Sequence, residues 1–164
     1  MKRNKTILLL SHCLLNQNTV FEGEARAMGV IPSAVNWAVS NGYGLYQLPC
    51  PEFSYLGLGR PGDYDYVNDQ DYPTHCQKIL IPVVQELKKF YESGYRIAGL
   101  VGIQNSPSCD PARGIFMEQL FQLLSDHNIT VETVWQLPNT EDPLFDPNRD
   151  FVHQNQLKKN KSNL

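Results

Sequence analysis

Three short apolar runs in this chain each end within a few residues of a cysteine. The runs cover residues 6–10, 45–48 and 97–103, and the cysteines that follow them are Cys13, Cys50 and Cys109. Short runs without polar alternation are typical of strands that are buried on both faces, as in a parallel sheet. Because the strands of an open parallel sheet present their carboxyl ends at one edge, the three thiols are predicted to converge there.

Helical patterns alternate with these strands. The predicted helices cover residues 32–40, 74–92 and 112–127, with Pro82 expected to kink or restart the second, and a fourth strand at 129–135 is expected at the sheet edge. This alternation predicts an α/β fold, a three-layer Rossmann-like domain with a mainly parallel sheet of about four strands. We expect the domain to occupy residues 1–137, and residues 138–164 to form a loop-rich C-terminal extension with a mobile tail.

The segment around Cys109 reads as a strand that turns directly into a helix. Asp110 is placed to cap that helix, and Pro111 falls at its first position, where a missing N–H costs nothing. Cys109 would then lie at a helix N-terminus, where unpaired N–H groups and the helix dipole favour a thiolate. The sequence therefore predicts a lowered pKa for this thiol.

Charge and hydropathy exclude some classes of partner. The 164 residues carry a formal net charge of -3, which disfavours binding to nucleic acid through phosphate neutralisation. The apolar run after the basic start is too short for a signal peptide, and no run approaches the length of a membrane span. We therefore expect a cytoplasmic protein without membrane or nucleic-acid partners, whose four cysteines are free, catalytic or metal-bound.

Two long polar connections are candidates for binding loops. Residues 14–27 follow the first strand, and the tyrosine-rich stretch 53–73 has the length and composition of a lid. Arg60 and the neighbouring tyrosines offer groups that stack on or clamp a planar heterocycle. A tyrosine-rich loop that packs against its own domain has the same sequence pattern.

Three converging thiolates suit a soft metal ion or an iron–sulfur cluster. A closed zinc site would need a fourth ligand and usually shows paired Cys-x-x-Cys motifs, which this sequence lacks. Three ligands would leave one metal position open, as a catalytic Lewis acid requires.

The motifs around the three cysteines resemble those of one known family. Ser-His-Cys-Leu-Leu-Asn at 11–16, Pro-Cys-Pro-Glu at 49–52 and Asn-Ser-Pro-Ser-Cys at 105–109 resemble the cysteine motifs of the thiouracil desulfidase (TudS-like) family, over about residues 6–135. Where relatives commonly have a Gly and an Arg-Tyr-Asp-Gly element, this chain has Asn16 and Val-Phe-Glu-Gly at 20–23, which indicates a divergent branch.

The resemblance implies a specific chemistry. Cys13, Cys50 and Cys109 would hold a [4Fe-4S] cluster with one iron not bound by protein, and that iron would take sulfur from a small thiolated (thiocarbonyl) substrate, a thiobase being one candidate. The reaction is a non-redox hydrolysis that releases sulfide. Glu52 would activate water or shuttle its proton, and Ser106 would hydrogen-bond the substrate ring or a developing anion. The predicted substrate contacts are Asn16, Arg60 and Ser108.

Other interpretations stay open. The protein could be a non-catalytic carrier of a cluster, persulfide or metal, or a hydrolase with Cys109 as nucleophile. Cys76 has an incidental role, or it is a fourth ligand or a persulfide relay, and Ser106 could only cap its turn. His12 is either a base beside Cys13 or a satisfied histidine near the core. The sequence does not distinguish a monomer from a homodimer.

Overall fold

The fold is a mixed α/β arrangement around one five-stranded sheet. A computed structural model describes residues 1–157, so the last part of the predicted mobile tail, 158–164, lies outside the described residues. The strands are β1 Thr6–Leu10, β2 Gly44–Gln47, β3 Arg96–Ile103, β4 Val131–Leu137 and β5 Phe151–Val152. Their order is β2-β1-β3-β4-β5, and only β5 is antiparallel to its neighbour.

The strand order reverses at β1. The chain passes from β1 to β2 on one side, and then crosses back over β1 to β3 on the other side. In open α/β sheets, the loops that leave two strands at such a reversal diverge, and the crevice between them is the usual ligand site. The topology therefore points to the ends of β1 and β3, where Cys13 and Cys109 follow.

Helices cover both faces of the sheet. They are α1 His12–Leu15, α2 Pro32–Ser40, α3 Pro51–Leu56, α4 Tyr72–Glu92 and α5 Ile115–Asp126. One buried cluster joins Leu9 and Leu100 to α4 and α5, and a second joins Leu8 and Val101 to α2. Adjacent residues of each strand thus face opposite cores, as side-chain alternation requires. None of the helices within residues 1–157 has the length and apolar character needed to span a membrane.

Several sequence predictions are confirmed. The strands at 6–10 and 97–103 and the helix at 32–40 appear almost as expected, with Pro32 in the first turn of its helix. The helix predicted at 74–92 starts two residues earlier and runs without interruption through Pro82. Its apolar stripe packs into the core. This tertiary packing offsets the loss of the backbone hydrogen bond that proline cannot donate.

Two predictions, one on the edge of the sheet and one on the start of a helix, are wrong. The strand expected at the sheet edge over 129–135 is found at 131–137, and it is not at the edge, because β5 of the loop-rich extension pairs with it. The helix after Cys109 begins at Ile115 rather than at 112. Asp110 does not cap it: its carboxylate accepts hydrogen bonds from the backbone N–H groups of Asn105 at 2.7 Å and Ala112 at 2.8 Å, which folds 105–112 into a turn.

Glycine at position 102 allows this turn to pack against the end of β3. A Cβ added at Gly102 would lie 2.5 Å from the carbonyl oxygen of Cys109 and 2.7 Å from the ring of Pro111. The same carbonyl accepts a hydrogen bond from the backbone N–H of Ile103 at 2.9 Å. The cysteine turn therefore needs a residue without a side chain beneath it.

We expect Gly102→Ala to lower the free energy of unfolding by roughly 1–3 kcal/mol, because the methyl group forces backbone atoms of the turn to move. Gly29→Ala is the matched control, since a Cβ there meets nothing within 4 Å. Urea denaturation of both variants measures the difference. Equal stabilities would contradict the close packing of the turn.

Candidate functional site

The three predicted cysteines line one cavity at the carboxyl edge of the sheet. Cys13 lies in α1 just after β1, Cys50 precedes α3 after β2, and Cys109 lies in the turn after β3. The cavity has a volume of about 220 Å³, and Glu52, Arg60 and Ser106 also line it. Further lining residues come from the two polar connections, among them Thr19, Phe21, Glu24, Arg26, Tyr64 and Tyr66. The predicted convergence of the thiols is confirmed.

The protein surrounds these thiols and disfavours their ionisation. Burial raises the pKa of Cys13 to about 12, and the nearby Cys50 thiol adds to this effect. Burial, followed by the Cys13 and Cys50 thiols, raises the pKa of Cys109 well above its ordinary value. The expectation of a lowered pKa at Cys109 is therefore wrong, because the helix that was to stabilise the thiolate begins six residues later, at Ile115.

The donor set can be compared with the group that the resemblance implies. Within residues 1–157, no three or more Cys, His, Asp or Glu side chains form a group that could hold a metal ion. A site for a single metal ion brings all of its donors close to one point. A cluster instead binds its thiolate ligands at separate irons and so holds them farther apart. The Cys13 and Cys50 thiols lie close enough to Cys109 to raise its pKa. The cavity that all three line also contains the cationic side chains of Arg26 and Arg60. This donor set fits the chemistry of such a cluster.

Glu52 is held in place beside the thiols by a hydrogen-bond chain. It lies in the first turn of α3, two residues after Cys50. The hydroxyl of Ser108 donates to Glu52 Oε2 at 2.8 Å, and the hydroxyl of Tyr72 lies 2.6 Å from Ser108 Oγ. Because Ser108 has a single proton and gives it to Glu52, Tyr72 must be the donor in the second bond. Ser108 and Tyr72 are both fully buried, so the carboxylate is oriented from the core.

Arg60 connects Glu52 to the loop after β1. Its Nη1 donates to the carbonyl of Gly57 at 3.0 Å, and its Nη2 donates to the carbonyl of Thr19 at 2.5 Å. Its Nε lies 3.7 Å from Glu52 Oε1. Arg60 therefore has a structural function in joining two loops, and the predicted substrate contact stays a prediction.

Ser106 also has a structural function in the cysteine turn. Its Oγ accepts hydrogen bonds from the backbone N–H of Cys109 at 2.9 Å and of Ser108 at 3.3 Å. The hydroxyl proton remains available to the cavity that Ser106 lines. The turn-capping interpretation is thus confirmed, and the predicted contact with the substrate is compatible with it.

Two other predicted residues lie outside the set that lines the cavity. The side-chain carbonyl of Asn16 accepts from the backbone N–H of Asn18 at 3.1 Å and caps a short turn, so the structure does not bring it to the site as a substrate contact. Ser108 lies beneath Glu52 rather than at the cavity wall and acts through that carboxylate. His12 Nδ1 lies 3.1 Å from the carbonyl of Leu48 and donates to it, as expected of a satisfied histidine.

The tyrosine-rich stretch packs against its own domain and also forms part of the cavity wall. Its first residues form α3, and the hydroxyls of Tyr55 and Tyr64 both donate to Asp69 Oδ2, at 2.9 Å and 2.5 Å. Tyr66 is 5% exposed and lines the cavity. Burial and the charge of Glu52 raise the pKa of Tyr66, so its hydroxyl stays protonated.

The sequence did not single out Arg26 or the function of Tyr72. Arg26 lines the cavity, lowers the pKa of Cys13 in opposition to burial, and donates from its guanidinium to the side chain of Asn139. The sequence cannot show how close an arginine in a loop lies to a thiol. The place of Arg26 in the polar connection 14–27, a candidate binding loop, was the available signal. Tyr72 belongs to a helical pattern, and only the packing of α4 brings it to Ser108.

Cys76 lies apart from the other three cysteines. It is fully buried in the core cluster along α4, and it is not among the residues that line the cavity. Burial raises the pKa of its thiol to about 12. This core placement agrees with an incidental role for Cys76.

Comparison with known proteins gives the family of the chain. The chain is 37% identical over 146 residues to the uncharacterized protein MJ0003 of the archaeon Methanocaldococcus jannaschii, a match that covers 85% of this chain and 91% of the relative. The chain belongs to the same family as this archaeal protein. No family model matches the sequence, and no solved structure matches it. Because the match covers 85% of this chain, the aligned span necessarily includes the positions of β3, Cys50 and Cys109.

We expect the stability of the protein to fall at alkaline pH, partly through Cys76. Its pKa is about 12 in the folded chain, against about 8.5 in an unfolded chain. Between these values the unfolded chain binds fewer protons, so the free energy of unfolding falls as pH rises, by roughly 1–2 kcal/mol at pH 10 for this group.

The measurement is urea denaturation under reducing conditions from pH 7 to pH 10, for the wild type and Cys76→Ala. The variant lacks the titrating thiol, so its stability should fall less steeply over this range. Any loss of stability at neutral pH from the smaller side chain offsets the whole curve and leaves this slope unaffected. Parallel curves would show that the Cys76 thiol ionises equally well in both states.

Proposed function

We propose that the protein is an iron–sulfur-dependent, non-redox desulfidase on a Rossmann-like fold, which hydrolyses the C=S bond of a small thiocarbonyl compound. The observation that supports this function best is the convergence of three thiols and one oriented carboxylate on a single cavity. The reversal of strand order at β1 places this cavity where α/β sheets bind ligands.

Cys13, Cys50 and Cys109 are the proposed ligands of the [4Fe-4S] cluster. When bound, this group supplies a Lewis-acidic iron that has no protein ligand. The chain contributes a pocket in which the three side chains are already brought together by strand ends. Because burial and mutual repulsion raise the pKa of these thiols, the cavity favours their ionised form only with compensating positive charge beside them.

Glu52 is the proposed general base. In the overall reaction a water oxygen replaces sulfur on the carbon atom, the C–S bond breaks, and both water protons leave with the sulfur as hydrogen sulfide. No electrons are gained or lost in this exchange. Glu52 accepts the first proton at its carboxylate, which lines the cavity and whose orientation is fixed by the hydrogen bond from Ser108.

Ser106 and Arg26 are the proposed polar contacts of the substrate. The Ser106 hydroxyl proton is free to donate to an anion that develops on the substrate, while its oxygen holds the turn. Arg26 adds positive charge beside Cys13, and Tyr64 and Tyr66 form aromatic parts of the wall. A planar, polarisable compound suits such a lining better than a flexible chain does.

The structure favours this function over a Cys109-dependent hydrolase. That alternative needs a nucleophilic thiolate activated by a helix N-terminus, yet Cys109 lies in a turn and burial raises its pKa. A carrier protein would need the three thiols but would have no use for the chain of hydrogen bonds from Tyr72 through Ser108 to Glu52.

We expect anaerobically purified or reconstituted protein to contain about four iron and four acid-labile sulfide atoms per chain, with a broad visible absorption. Cys109→Ser should lose the iron, since it removes one of three ligands. Cys76→Ala is the matched control and should retain it, because this thiol is buried in the core away from the cavity. Absence of iron after reconstitution, or equal loss in both variants, would refute the cluster assignment.

For catalysis, Glu52→Gln should retain the iron and lower the rate of sulfide release by about 10²-fold or more, because the amide cannot accept the proton of water. The assay measures sulfide from thiocarbonyl compounds, beginning with 2-thiouracil. Glu22→Gln, an exposed residue of the loop after β1, serves as the matched carboxylate control and should have the wild-type rate. Full activity of Glu52→Gln would show that another group activates the water.

A further inference from the structure

Phe21 differs from the other aromatic side chains that line the cavity. Tyr66 is 5% exposed and packs between the rings of Tyr64 and Tyr72, at centroid distances of 4.8 Å and 4.6 Å. Tyr64 also donates its hydroxyl to Asp69. Phe21 is 38% exposed although it lines the same cavity, and within residues 1–157 no other aromatic ring stacks on it. Its ring is therefore an open aromatic surface of the site.

Two glycines hold the ring of Phe21 in one orientation. A Cβ added at Gly62 would lie 2.6 Å from Phe21 Cε1 and 2.8 Å from Cζ, so the ring rests directly on the backbone of that glycine. A Cβ added at Gly23 would lie 3.2 Å from the same Cε1. The contacted atoms are neighbours on one side of the ring. That side is thus packed against the protein, and the exposed part of the ring is available to a ligand.

The two loops that meet at Phe21 are also joined to each other nearby. Phe21 belongs to the loop after β1, and Gly62 belongs to the connection after α3. Arg60 Nη2 links the same two loops, because it donates to the carbonyl of Thr19 at 2.5 Å. The backbone carbonyl of Phe21 accepts from the N–H of Glu24 at 2.8 Å. The ring is therefore fixed by its surroundings, and a ligand that binds against it requires little ordering of the protein.

The cavity favours a small, flat ligand. Its volume of about 220 Å³ lies below the roughly 300–1,000 Å³ of most ligand pockets. Aromatic side chains stack on planar rings, and this contact depends on the flat face that the ligand offers. A thiocarbonyl compound without a ring has no such face. An open phenyl ring in the cavity wall therefore discriminates between cyclic and acyclic compounds.

We propose that Phe21 is a specificity-determining residue of the cavity, and that its ring stacks on the planar ring of a thiocarbonyl heterocycle and so selects such compounds over acyclic ones. Ser106 and Glu52 line the same cavity and supply polar partners for the edge of the heterocycle. The face and the edge of the substrate are thus recognised by different groups. This assignment deepens the proposed function and rests on it.

The test compares kcat/KM of the cluster-containing protein for 2-thiouracil and for thioacetamide, a thiocarbonyl compound without a ring. Phe21→Leu keeps an apolar side chain but removes the flat ring. It should lower kcat/KM for 2-thiouracil about tenfold, mainly through KM, and leave the value for thioacetamide unchanged. Phe151→Leu is the matched control, because Phe151 is 43% exposed, lies in β5 and is not among the residues that line the cavity. Equal losses for both compounds in Phe21→Leu would overturn the inference, as would a wild type that prefers thioacetamide.

A second pair of variants moves the ring without removing it. Gly62→Ala places a methyl group where the ring of Phe21 lies, so the ring must shift. This variant should also lower kcat/KM for 2-thiouracil more than for thioacetamide. Gly59→Ala, in the same connection, is the control, since a Cβ there meets nothing within 4 Å. Equal values of kcat/KM for the two alanine variants would contradict a function for the position of the ring.

Equilibrium binding separates the inference from the function on which it rests. If the wild type releases sulfide from 2-thiouracil and Phe21→Leu has the same kcat/KM, the assignment of Phe21 is wrong and the desulfidase stands. If the wild type releases no sulfide from any thiocarbonyl compound tested, the desulfidase is wrong, and calorimetric titration with 2-thiouracil decides on Phe21. Binding about tenfold weaker in Phe21→Leu than in the wild type supports stacking. Equal binding in the two proteins, or no binding to the wild type, overturns it.

Discussion

The parallel pairing of β1 with β2 and β3 is the constraint on which the candidate site depends. Parallel strands end at the same edge, so the residues that follow them meet even when they are far apart in the sequence. Cys13, Cys50 and Cys109 are brought together in this way, although each is more than 30 residues from the next in the sequence. The apolar character of the strands thus determines where the polar chemistry is located.

Packing behind the strand ends turns this edge into a shaped cavity. The turn after β3 rests on Gly102, and Asp110 satisfies two backbone N–H groups inside it. Behind the cavity, in the core, α4 supplies Tyr72, whose hydroxyl reaches Glu52 through Ser108. The orientation of the carboxylate therefore depends on the helix that also fills the largest hydrophobic core.

The sequence predicted the framework better than the details of the site. Residues 6–10 and 97–103 are apolar without interruption, and such runs leave little choice but a buried strand, so the meeting of the cysteines could be foreseen. The turn at Cys109 could not, because Asp110 and Pro111 are equally suited to a helix start and to a polar turn. Which one forms depends on the space above Gly102, which is a property of the folded chain.

The dispersal of the site over three strand ends has a consequence for its cooperativity. A binding site formed by one continuous loop can survive when the rest of a domain opens, but here each of the loops after β1, β2 and β3 contributes one thiol. Local opening of any single loop dismantles the whole arrangement. The site is therefore intact only in molecules whose central strands are all in register, and no fragment of the chain can reproduce it.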